Sequence, residues 1–597
     1  MIKNSDIYKK IQIVFTDKDR KTAFWLFLGM VLLGGFEVAG VMSIAPFMAV
    51  VSNPQIIEEN HYLNLAYKFG EFNSHSEFAI FLGLAMLCIL VLTNAFTAFM
   101  EWQITYFVRR QGFRLEMRLL NYYLHQPYVF FLNKGLSEIG KNLLTEVDRI
   151  ASGIVHPGLE IISRIIVILF IFLLLVFVNP MVAFVVFIVL GGSYIFLYLL
   201  MKNKQEKIGK LTTNAIHERY KLVNQIISGI KEIKLRNIED DYAERYYMPA
   251  SSNADYLAKN HVVSSLPKYA LETVAFGGII FVIVLLISQG NSGEEIIPLM
   301  ALYVFAGYRL LPSFQHVYSS LTKFKFSLPV LNIVAGDLSK KVTRRLNKKK
   351  DKIEVKEGFD FRSVNYAYPQ SNKLAINQLS LKINSNTTVG IVGSSGAGKT
   401  TLIDLLLGLL PIESGSFHVD GVEITPENIQ SWRNNVGYIP QRVYLSDETI
   451  ANNIAFGVEN GNYDLQKITE SGNMAMLDQF VDDLPNGYET MIGDRGIRIS
   501  GGQIQRIGIA RALYSNPSVL VMDEATSALD GITENTVMEA INSLSHKKTI
   551  IMIAHRISTV KQCDVIHVMD KGEIVDSGTY ESLLKNNVQF RMMAKVQ

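Results

Sequence analysis

The chain has 597 residues, more than a single hydrophobic core usually holds, so its length predicts at least two domains. A net charge of only +3 argues against bulk binding of nucleic acid, and no nucleic-acid partner is expected. The two cysteines, Cys88 and Cys563, are far apart, which excludes a disulfide framework or a cysteine zinc site and predicts two unpaired thiols.

Six apolar runs in the first half of the chain predict six membrane-spanning helices. A helix needs about 20 apolar residues to cross a bilayer, and each run is close to that length. The fifth run is short, and the sixth contains Arg309. The runs cover residues 23–50, 78–100, 159–178, 181–201, 272–288 and 296–314.

Two shorter segments are expected to form helices along the membrane surface. The segment SDIYKKIQIVF, which precedes the first run, mixes apolar and basic residues. The segment QIIEENHYLNLAYKFG, at 55–70, carries apolar residues that suit a short amphipathic helix at the outer surface.

The distribution of Lys and Arg predicts the orientation of the chain. The connections 102–157 and 202–267 hold seven and eleven basic residues, whereas 52–77 holds only Lys68 and 289–295 holds none. Positive residues favour the cytoplasmic side, so both basic connections and both termini are predicted to be cytoplasmic. The two connections also have helical patterning, which predicts helices that extend well beyond the bilayer.

A strongly basic stretch, KKVTRRLNKKKDK at 340–352, marks a domain boundary because it carries eight basic residues and one acid. The predicted organisation is a transmembrane domain over 1–339, a basic linker over 340–351 and a nucleotide-binding domain over 352–597. The stretch is either a solvated linker or a segment attracted to anionic lipid headgroups.

The sequence GSSGAGKT matches the phosphate-binding pattern G-x-x-x-x-G-K-[ST]. It follows the strand-like VGIV and opens the helix-like TLIDLLLGLL, which is the context that such a loop requires. Its glycines let backbone N–H groups approach phosphate oxygens, its lysine supplies charge, and its threonine hydroxyl is a candidate Mg²⁺ ligand. The candidate nucleotide-binding residues are Gly393, Ser394, Ser395, Gly396, Ala397, Gly398, Lys399, Thr400 and Thr401.

A second motif, VLVMDEATSALD, contains two neighbouring carboxylates at the end of an apolar run. The run predicts a buried strand that delivers Asp523 to Mg²⁺, and Glu524 is a candidate base that polarises the water attacking the γ-phosphate. A helix cap is the alternative interpretation of this Asp-Glu pair. Together with the phosphate-binding loop, the motif predicts an α/β P-loop domain. The six apolar runs before it predict an all-α transmembrane domain of six spanning helices.

A third motif, ISGGQIQR at 499–506, completes a resemblance to ABC transporters. Six spans followed by one nucleotide-binding domain resemble an ABC exporter half-transporter, and the resemblance covers nearly the whole chain. Ile499 stands where Leu is usual in the signature, an exchange of one apolar residue for another. The resemblance implies that the signature contacts ATP held by a second chain, through Ser500, Gly501, Gly502 and Gln503.

The resemblance implies further roles in the nucleotide site. Tyr368, in VNYAYP, matches the aromatic residue that stacks on adenine, and Gln441, in GYIPQ, matches the residue that senses Mg²⁺. His555, in IIMIAHR, matches the switch histidine that contacts the γ-phosphate. The GDRG sequence at 493–496 resembles the X-loop, and Asp530 closes the D-loop. A core tyrosine and a structural histidine are the alternatives for Tyr368 and His555.

One chain carries one P-loop and one signature, so the resemblance implies a homodimer with two equivalent sites for ATP and Mg²⁺, unless a different partner chain exists. Segments 127–144 and 228–246 resemble the two coupling-helix regions of the family, which transmit domain closure to the membrane helices. The implied mechanism is alternating access driven by ATP.

The transported substrate is less well specified by the sequence. Arg309 and Lys268 are candidate substrate-binding residues, because ionisable groups at membrane depth usually face a cavity. Pairing between helices, for example of Glu37 with a basic neighbour, is the alternative. No basic residue lies in the second span, at 78–98.

The stretch GYRLLPSFQHVYSSL and the external segment resemble a bacterial lipid-linked oligosaccharide flippase of the inner membrane, whose lipid pyrophosphate would meet Lys268 and Arg309. A general lipid or multidrug exporter is the second hypothesis. A regulatory ATPase on a membrane anchor is the third, and six spans with coupling-like segments argue against it.

Overall fold

In the computed structural model, the described residues are 2–595 apart from 179, 289–292, 341–352, 370, 372, 460, 494–498, 525–530 and 555. They divide into two compact units, Met1–Gln126 with Phe130–Thr343 and Pro127–Val129 with Arg344–Gln597. Most of the predicted basic linker lies outside the described residues, so the proposed domain boundaries remain predictions.

The first unit is built from helices. Two π-helical turns, Asn142–Glu146 and Ala151–Val155, interrupt the segment before the third apolar run. The helices are α1 Ile2–Val14, α2 Asp17–Met42, α3 Ile44–Ser52, α4 Ile56–Glu59, α5 His61–Phe69, α6 His75–Leu124, α7 Tyr128–Asn133, α8 Leu136–Lys141, α9 Val147–Ile150, α10 His156–Val178, α11 Pro180–Ser228, α12 Ile230–Arg236, α13 Glu239–Ser288 and α14 Gly293–Leu338.

Four helices are much longer than a bilayer requires. Helices α6 and α13 have 50 residues each, α11 has 49 and α14 has 46. A helix of that length extends about 75 Å, whereas the hydrocarbon core of a bilayer is about 30 Å thick. The prediction that the basic connections continue as helices is confirmed.

Three helical stretches of the described residues are long and apolar enough to cross a membrane, namely Asp17–Ser52, His75–Leu124 and Ser137–Val178. They contain the first three predicted spans. The fourth to sixth predicted spans lie on α11, α13 and α14. The structure describes only some of their side chains, so these spans remain predictions.

Both short surface segments are helical, as expected. Helix α1 packs Ile7, Ile11 and Val14 against the core formed with α2, α6, α10 and α14. Helix α5 leaves Tyr62 and Phe69 largely exposed. Its predicted position at the outer membrane surface stays a prediction.

The second unit is an α/β domain with two sheets. One is antiparallel, in the order β2-β1-β4-β5, and the other has the order β10-β9-β3-β8-β7-β6, with only β10 antiparallel to its neighbour. The strands are β1 Gly358–Ala367, β2 Leu374–Asn384, β3 Thr388–Gly393, β4 Ser414–Val419, β5 Val422–Glu423, β6 Val436–Ile439, β7 Val519–Asp523, β8 Thr549–Ile553, β9 Val565–Asp570 and β10 Glu573–Gly578.

Helices cover both sides of the mainly parallel sheet, which explains the nearly continuous apolar sequence of its central strands. The helices are α15 Lys399–Leu406, α16 Ile429–Arg433, α17 Ile450–Ile454, α18 Leu465–Met474, α19 Asp478–Asp482, α20 Gly501–Tyr514, α21 Gly531–Asn542, α22 Tyr580–Asn586 and α23 Val588–Lys595.

Trp432 packs helix α16 against the antiparallel sheet. Its side chain is fully buried, and its ring lies 5.1 Å from Phe359 and 5.2 Å from Phe417, measured between centroids. Its indole N–H donates a hydrogen bond of 2.6 Å to the carbonyl oxygen of Leu406, at the end of α15. The residue therefore joins the helix after the phosphate-binding loop to the core.

Replacing Trp432 with Ala should destabilise the second unit by about 3–5 kcal/mol, because it opens a large cavity and removes a buried hydrogen bond. Thermal unfolding of the purified full-length chain in detergent measures this loss. The control is Tyr444→Ala, at an exposed aromatic side chain of the same unit, which should change stability by less than about 0.5 kcal/mol. Equal unfolding midpoints for the two variants would contradict the role of Trp432.

Candidate nucleotide-binding site

The loop after β3 has the backbone geometry of a phosphate cradle. Gly396 and Gly398 have φ angles of 83° and 101°, in a region that favours glycine. At Gly398 an added Cβ would lie 2.6 Å from the carbonyl oxygen of Ala375, so a side chain does not fit there. The loop leads directly into α15, whose N-terminus presents backbone N–H groups to an anion.

Lys399 is held inside this loop. Its ammonium donates hydrogen bonds to the carbonyl oxygens of Gly393 at 2.7 Å and Ser394 at 3.0 Å, and the residue is only 5% exposed. Burial lowers the pKa of Lys399, and the charges of Glu524 and Asp523 oppose that shift. The positive charge is therefore placed close to two carboxylates.

Glu524 is oriented from two sides. Its backbone N–H donates to the carbonyl oxygen of Ile553 at 3.1 Å, and its Oε2 accepts a hydrogen bond from Gln441 Nε2 at 2.7 Å. Its φ angle of 46° is left-handed, a conformation that is strained for a residue with a side chain. The surrounding contacts thus hold the backbone of Glu524 in a conformation that an unconstrained residue would rarely adopt.

Four neighbouring parallel strands bring these groups together. In the order β6-β7-β8-β3, the residues that follow the carboxyl ends are Gln441, the pair Asp523–Glu524, the segment after Ile553, and the phosphate-binding loop. Carboxyl ends of parallel strands form one edge of the sheet, where ligands bind in open α/β folds. The structure therefore assembles the predicted P-loop, the Asp-Glu pair and Gln441 in one site.

Tyr368 lies beside the helix that follows the loop. Its hydroxyl is 3.1 Å from the hydroxyl of Thr401, and its half-buried ring packs edge-to-face against Tyr366 at 5.2 Å. The stacking on adenine that the sequence suggests for Tyr368 stays a prediction.

The signature begins helix α20 with a capping box. Ser500 Oγ accepts a hydrogen bond from the Gln503 backbone N–H, and the Gln503 side chain accepts one from the Ser500 backbone N–H. Gly501 is exposed, and an added Cβ there would meet no atom within 4 Å. Among the described residues, no hydrogen bond or ion pair joins the signature to the P-loop of the same chain.

Several predicted residues fall outside the described part of the chain. They are His555, Asp530 and positions 494–496 of the GDRG sequence. Their roles remain predictions. Cys88 and Cys563 are free thiols, as expected.

In the membrane unit, the two candidate substrate residues have partners. Arg309 lies 3.3 Å from a carboxylate oxygen of Glu37 and donates a hydrogen bond of 3.3 Å to Asn94. Glu37 is only 3% exposed. Lys268 lies 3.9 Å from Glu272 on its own helix. The structure thus contains the interhelical pairing that the sequence left as an alternative, because Arg309 on α14 contacts Glu37 on α2.

Two residues near these sites were missed in the sequence. Asp404 follows Thr400 by one helical turn on α15 and interacts electrostatically with Asp523. Arg164 lies on α10 and lines a small cavity with Glu101 and His156. The available signal for Asp404 was a single charged residue within the otherwise apolar LIDLLLGLL. For Arg164 it was the presence of two charged residues, Glu160 and Arg164, in the third predicted span.

Comparison with known proteins supports this arrangement. Residues 13–302 match the family described as ABC transporter transmembrane region, and residues 376–527 match the family described as ABC transporter. An ATP-dependent lipid A-core flippase of Haemophilus influenzae (strain 86-028NP) is 30% identical over 503 residues, covering 81% of this chain and 82% of that protein. This chain belongs to the ABC transporter family.

Two further similarities of this ABC transporter differ in the share of the chain that they cover. A candidate multidrug export ATP-binding/permease protein, YgaD of Bacillus subtilis (strain 168), is 38% identical over 244 residues, or 41% of this chain and 42% of that protein. A solved structure of a bacterial Atm1-family ABC exporter with ATP bound has a TM-score of 0.78 at 20% identity, covering 97% of this chain and 98% of that chain. The latter likeness confirms the fold.

The ABC transporter is an exporter with the organisation of a half-transporter, one transmembrane region and one ATP-binding domain. It is a membrane protein, and its ATP-binding domain hydrolyses ATP to power transport. The predictions of family, fold class and enzymatic activity are confirmed.

The pKa of Asp404 is raised to about 6 by burial and by the charge of Asp523. A raised folded-state pKa means that the protonated form stabilises the fold below a pH of about 4, and that this contribution is lost as the pH rises through about 6. Asp404→Asn, which is neutral at every pH, should lack this loss.

Unfolding midpoints of both forms, measured across this pH range, test the assignment. The midpoint of the native chain should fall relative to Asp404→Asn as the pH rises. The exposed Asp447→Asn serves as the control and should follow the native chain. If the unfolding midpoints of the native chain and Asp404→Asn changed with pH in the same way, the raised pKa assigned to Asp404 would be contradicted.

Proposed function

We propose that this ABC exporter is a homodimer that flips a lipid-linked oligosaccharide, built on a polyprenyl pyrophosphate, across the bacterial inner membrane. Its termini and ATP-binding domain lie in the cytoplasm. The observation that carries the lipid assignment is the ionisable pair Glu37 and Arg309 among the membrane helices. Charged groups are costly in that environment, so where they occur they usually mark a substrate pathway. Relatives named as lipid A-core flippases support a lipid substrate.

In the proposed site, the phosphates of ATP lie in the loop 393–400 and against the N-terminus of α15. Thr400, Asp523 and Gln441 would hold Mg²⁺, since hydroxyl, carboxylate and amide oxygens suit this ion. The ion would neutralise charge on the β- and γ-phosphates. The fit rests on the converging strand ends and on Lys399, whose charge is already held beside Asp523 and Glu524.

Glu524 is the proposed base for hydrolysis. The hydrogen bond from Gln441 fixes one oxygen of its carboxylate, and the other oxygen can accept a proton from the attacking water. His555 is proposed to contact the γ-phosphate from the segment after β8. Tyr368 is proposed to stack on adenine.

The second half of each site comes from the partner chain. Helix α20 begins at an exposed N-terminus, which favours an anion, and Ser500 and Gln503 fix its backbone by mutual capping. We infer that the signature of one chain, Ser500 to Gln503, closes on the ATP that the other chain holds. Closure then biases the membrane helices between inward-facing and outward-facing states.

Replacing Glu524 with Gln should preserve ATP binding and reduce ATP turnover by roughly a hundredfold or more, because the amide cannot take the proton from water. Radiolabelled ATP binding and steady-state ATPase of the purified chain in liposomes separate the two effects. Glu581→Gln, a change of the same kind at an exposed position of α22, is the control for the loss of a carboxylate. Unchanged turnover in Glu524→Gln would contradict the assignment of the base.

The substrate class is tested by ATPase stimulation in liposomes. Each candidate is titrated separately: a polyprenyl pyrophosphate that carries an oligosaccharide, a lipid A-core preparation and a set of apolar drugs. The proposal expects stimulation by the lipid-linked pyrophosphate and none by the drugs. Stimulation by drugs alone would favour the second candidate, a multidrug exporter, which the partial similarity to YgaD supports.

A further inference from the structure

A largely buried ion pair joins two distant parts of the membrane unit. Lys134 directly follows helix α7 in the segment 127–144, and Asp337 is the second-to-last residue of α14. The Lys134 ammonium lies 2.7 Å from Asp337 Oδ2, and the two side chains are only 14% and 11% exposed. The pair therefore holds the end of α14 against the segment 127–144.

Further contacts fix the position of Asp337. The hydroxyl of Tyr123, near the end of α6, donates a hydrogen bond of 2.8 Å to the same carboxylate oxygen. The Lys134 ammonium lies 5.1 Å from the centroid of the Tyr123 ring, within the range of a cation–π interaction. The fully buried Asn142 donates a hydrogen bond of 3.3 Å to the Tyr123 hydroxyl. Asn142 also begins the π-helical turn Asn142–Glu146, and such turns are frequent at functional sites.

Both partners of the ion pair lie close in sequence to the ATP-binding unit. Pro127–Val129, at the start of α7, belong to that unit, and Val129 packs against its core. Beyond α14, the chain enters the same unit at Arg344. A movement of the ATP-binding domain therefore reaches the membrane unit through two covalent connections, and the ion pair joins these connections to each other.

The free energy of unfolding alone explains a buried ion pair poorly. Removing two charges from water costs roughly what their attraction returns, so such pairs often add little to stability. Separating the partners is nevertheless strongly unfavourable, because each charge would be left buried and unpaired. The segment 127–144 and the end of α14 are therefore expected to move as one body.

We propose that the Lys134–Asp337 ion pair makes the segment 127–144 and α14 move together when ATP closes the ATP-binding domains. This positioning role rests on the proposed function, in which closure biases the membrane helices. Arg309 lies about 42 Å from Asp337 along α14 and contacts Glu37 on α2, so a shift of α14 would reach that contact. Without the ion pair, ATP would still close the ATP-binding domains, but less of the movement would reach the membrane part of α14.

Distances between spin labels on the two copies of the full-length chain test this inference in liposomes. The background carries Cys88→Ser, which removes the exposed thiol, and Glu524→Gln, which should retain ATP. A label at the exposed Val304→Cys on α14 reports the membrane helices, and a label at the exposed Val575→Cys on β10 reports closure of the ATP-binding domains. Pulsed electron paramagnetic resonance measures each distance with and without ATP.

Lys134→Met combined with Asp337→Asn removes the ion pair without leaving a buried unpaired charge. The ATP-dependent change in distance at position 575 should remain, and the change at position 304 should fall by about half or more. An undiminished change at position 304 overturns the proposal. An equal loss at both positions also overturns it, because the pair would then support the fold or ATP binding rather than position α14.

Two further double variants make the test specific to this ion pair. Lys210→Met combined with Glu206→Gln removes a more exposed pair on α11 and should keep both changes in distance. Lys134→Asp combined with Asp337→Lys restores the pair with its charges exchanged and should restore the change at position 304. A loss that persists after the exchange, or that also occurs in the α11 variant, overturns the assignment to this pair.

Asp337→Asn alone keeps the test valid if the double variant fails to assemble. It preserves the volume of the side chain and removes only the charge, and Glu138, 3.7 Å from Lys134, remains as a counter-charge. The change in distance at position 304 should again fall while the change at position 575 remains. An unchanged value at position 304 overturns the proposal.

Failure of the proposed function gives a different result. If the chain with native Lys134 and Asp337 shows no dipolar coupling between copies, the proposed homodimer fails. If ATP changes the distance at position 575 but not at position 304 in that chain, the proposed effect of closure on the membrane helices fails. Both outcomes differ from a change at position 304 that is present in the native chain and intact in the variants.

Discussion

The alignment of four parallel strands is the constraint on which the ATP site depends. Strands β6, β7, β8 and β3 are hydrogen-bonded neighbours, and their carboxyl ends lie at one edge of the sheet. The phosphate cradle and the Asp-Glu pair are remote in sequence and meet only because these strands are in register. The strained backbone of Glu524 is held by the same alignment, since its N–H bonds to Ile553 at the end of the neighbouring strand.

All the groups of the assembled site lie at one edge of the parallel sheet. It offers a cation, backbone donors and carboxylates for phosphate and metal, all from one edge of one sheet. The signature helix presents its own exposed N-terminus elsewhere on the domain, with a capping box that fixes its first turn. A mechanism in which two chains enclose ATP follows naturally from this separation, because each chain supplies a different half of the contacts.

Much of the architecture was predictable from the sequence because it is encoded locally. The P-loop, the Asp-Glu pair and the signature are contiguous motifs, and apolar runs with basic connections predict helices by length alone. Contacts between remote residues were not predictable. The bond from Gln441 to Glu524 and the proximity of Asp404 to Asp523 depend on how strands and helices pack.

The membrane unit shows the same limit. Arg309 was recognised as unusual, but its partners could be identified only from the way in which α2, α6 and α14 pack together. Arg164 was overlooked because the two charges of the third predicted span, Glu160 and Arg164, do not reveal which side chains of other helices will pack against them. The fourth to sixth spans are still sequence predictions, as is the role of His555.

Mixing two inactive variants tests the shared site most directly. Lys399→Ala removes the cation of the P-loop, and Gly501→Asp places a carboxylate at the exposed start of the signature helix. If each site combines the P-loop of one chain with the signature of the other, a mixed dimer has one intact site. ATPase activity should then return in a co-reconstituted mixture of the two variants. No recovery in demonstrably mixed dimers would contradict a site shared between chains.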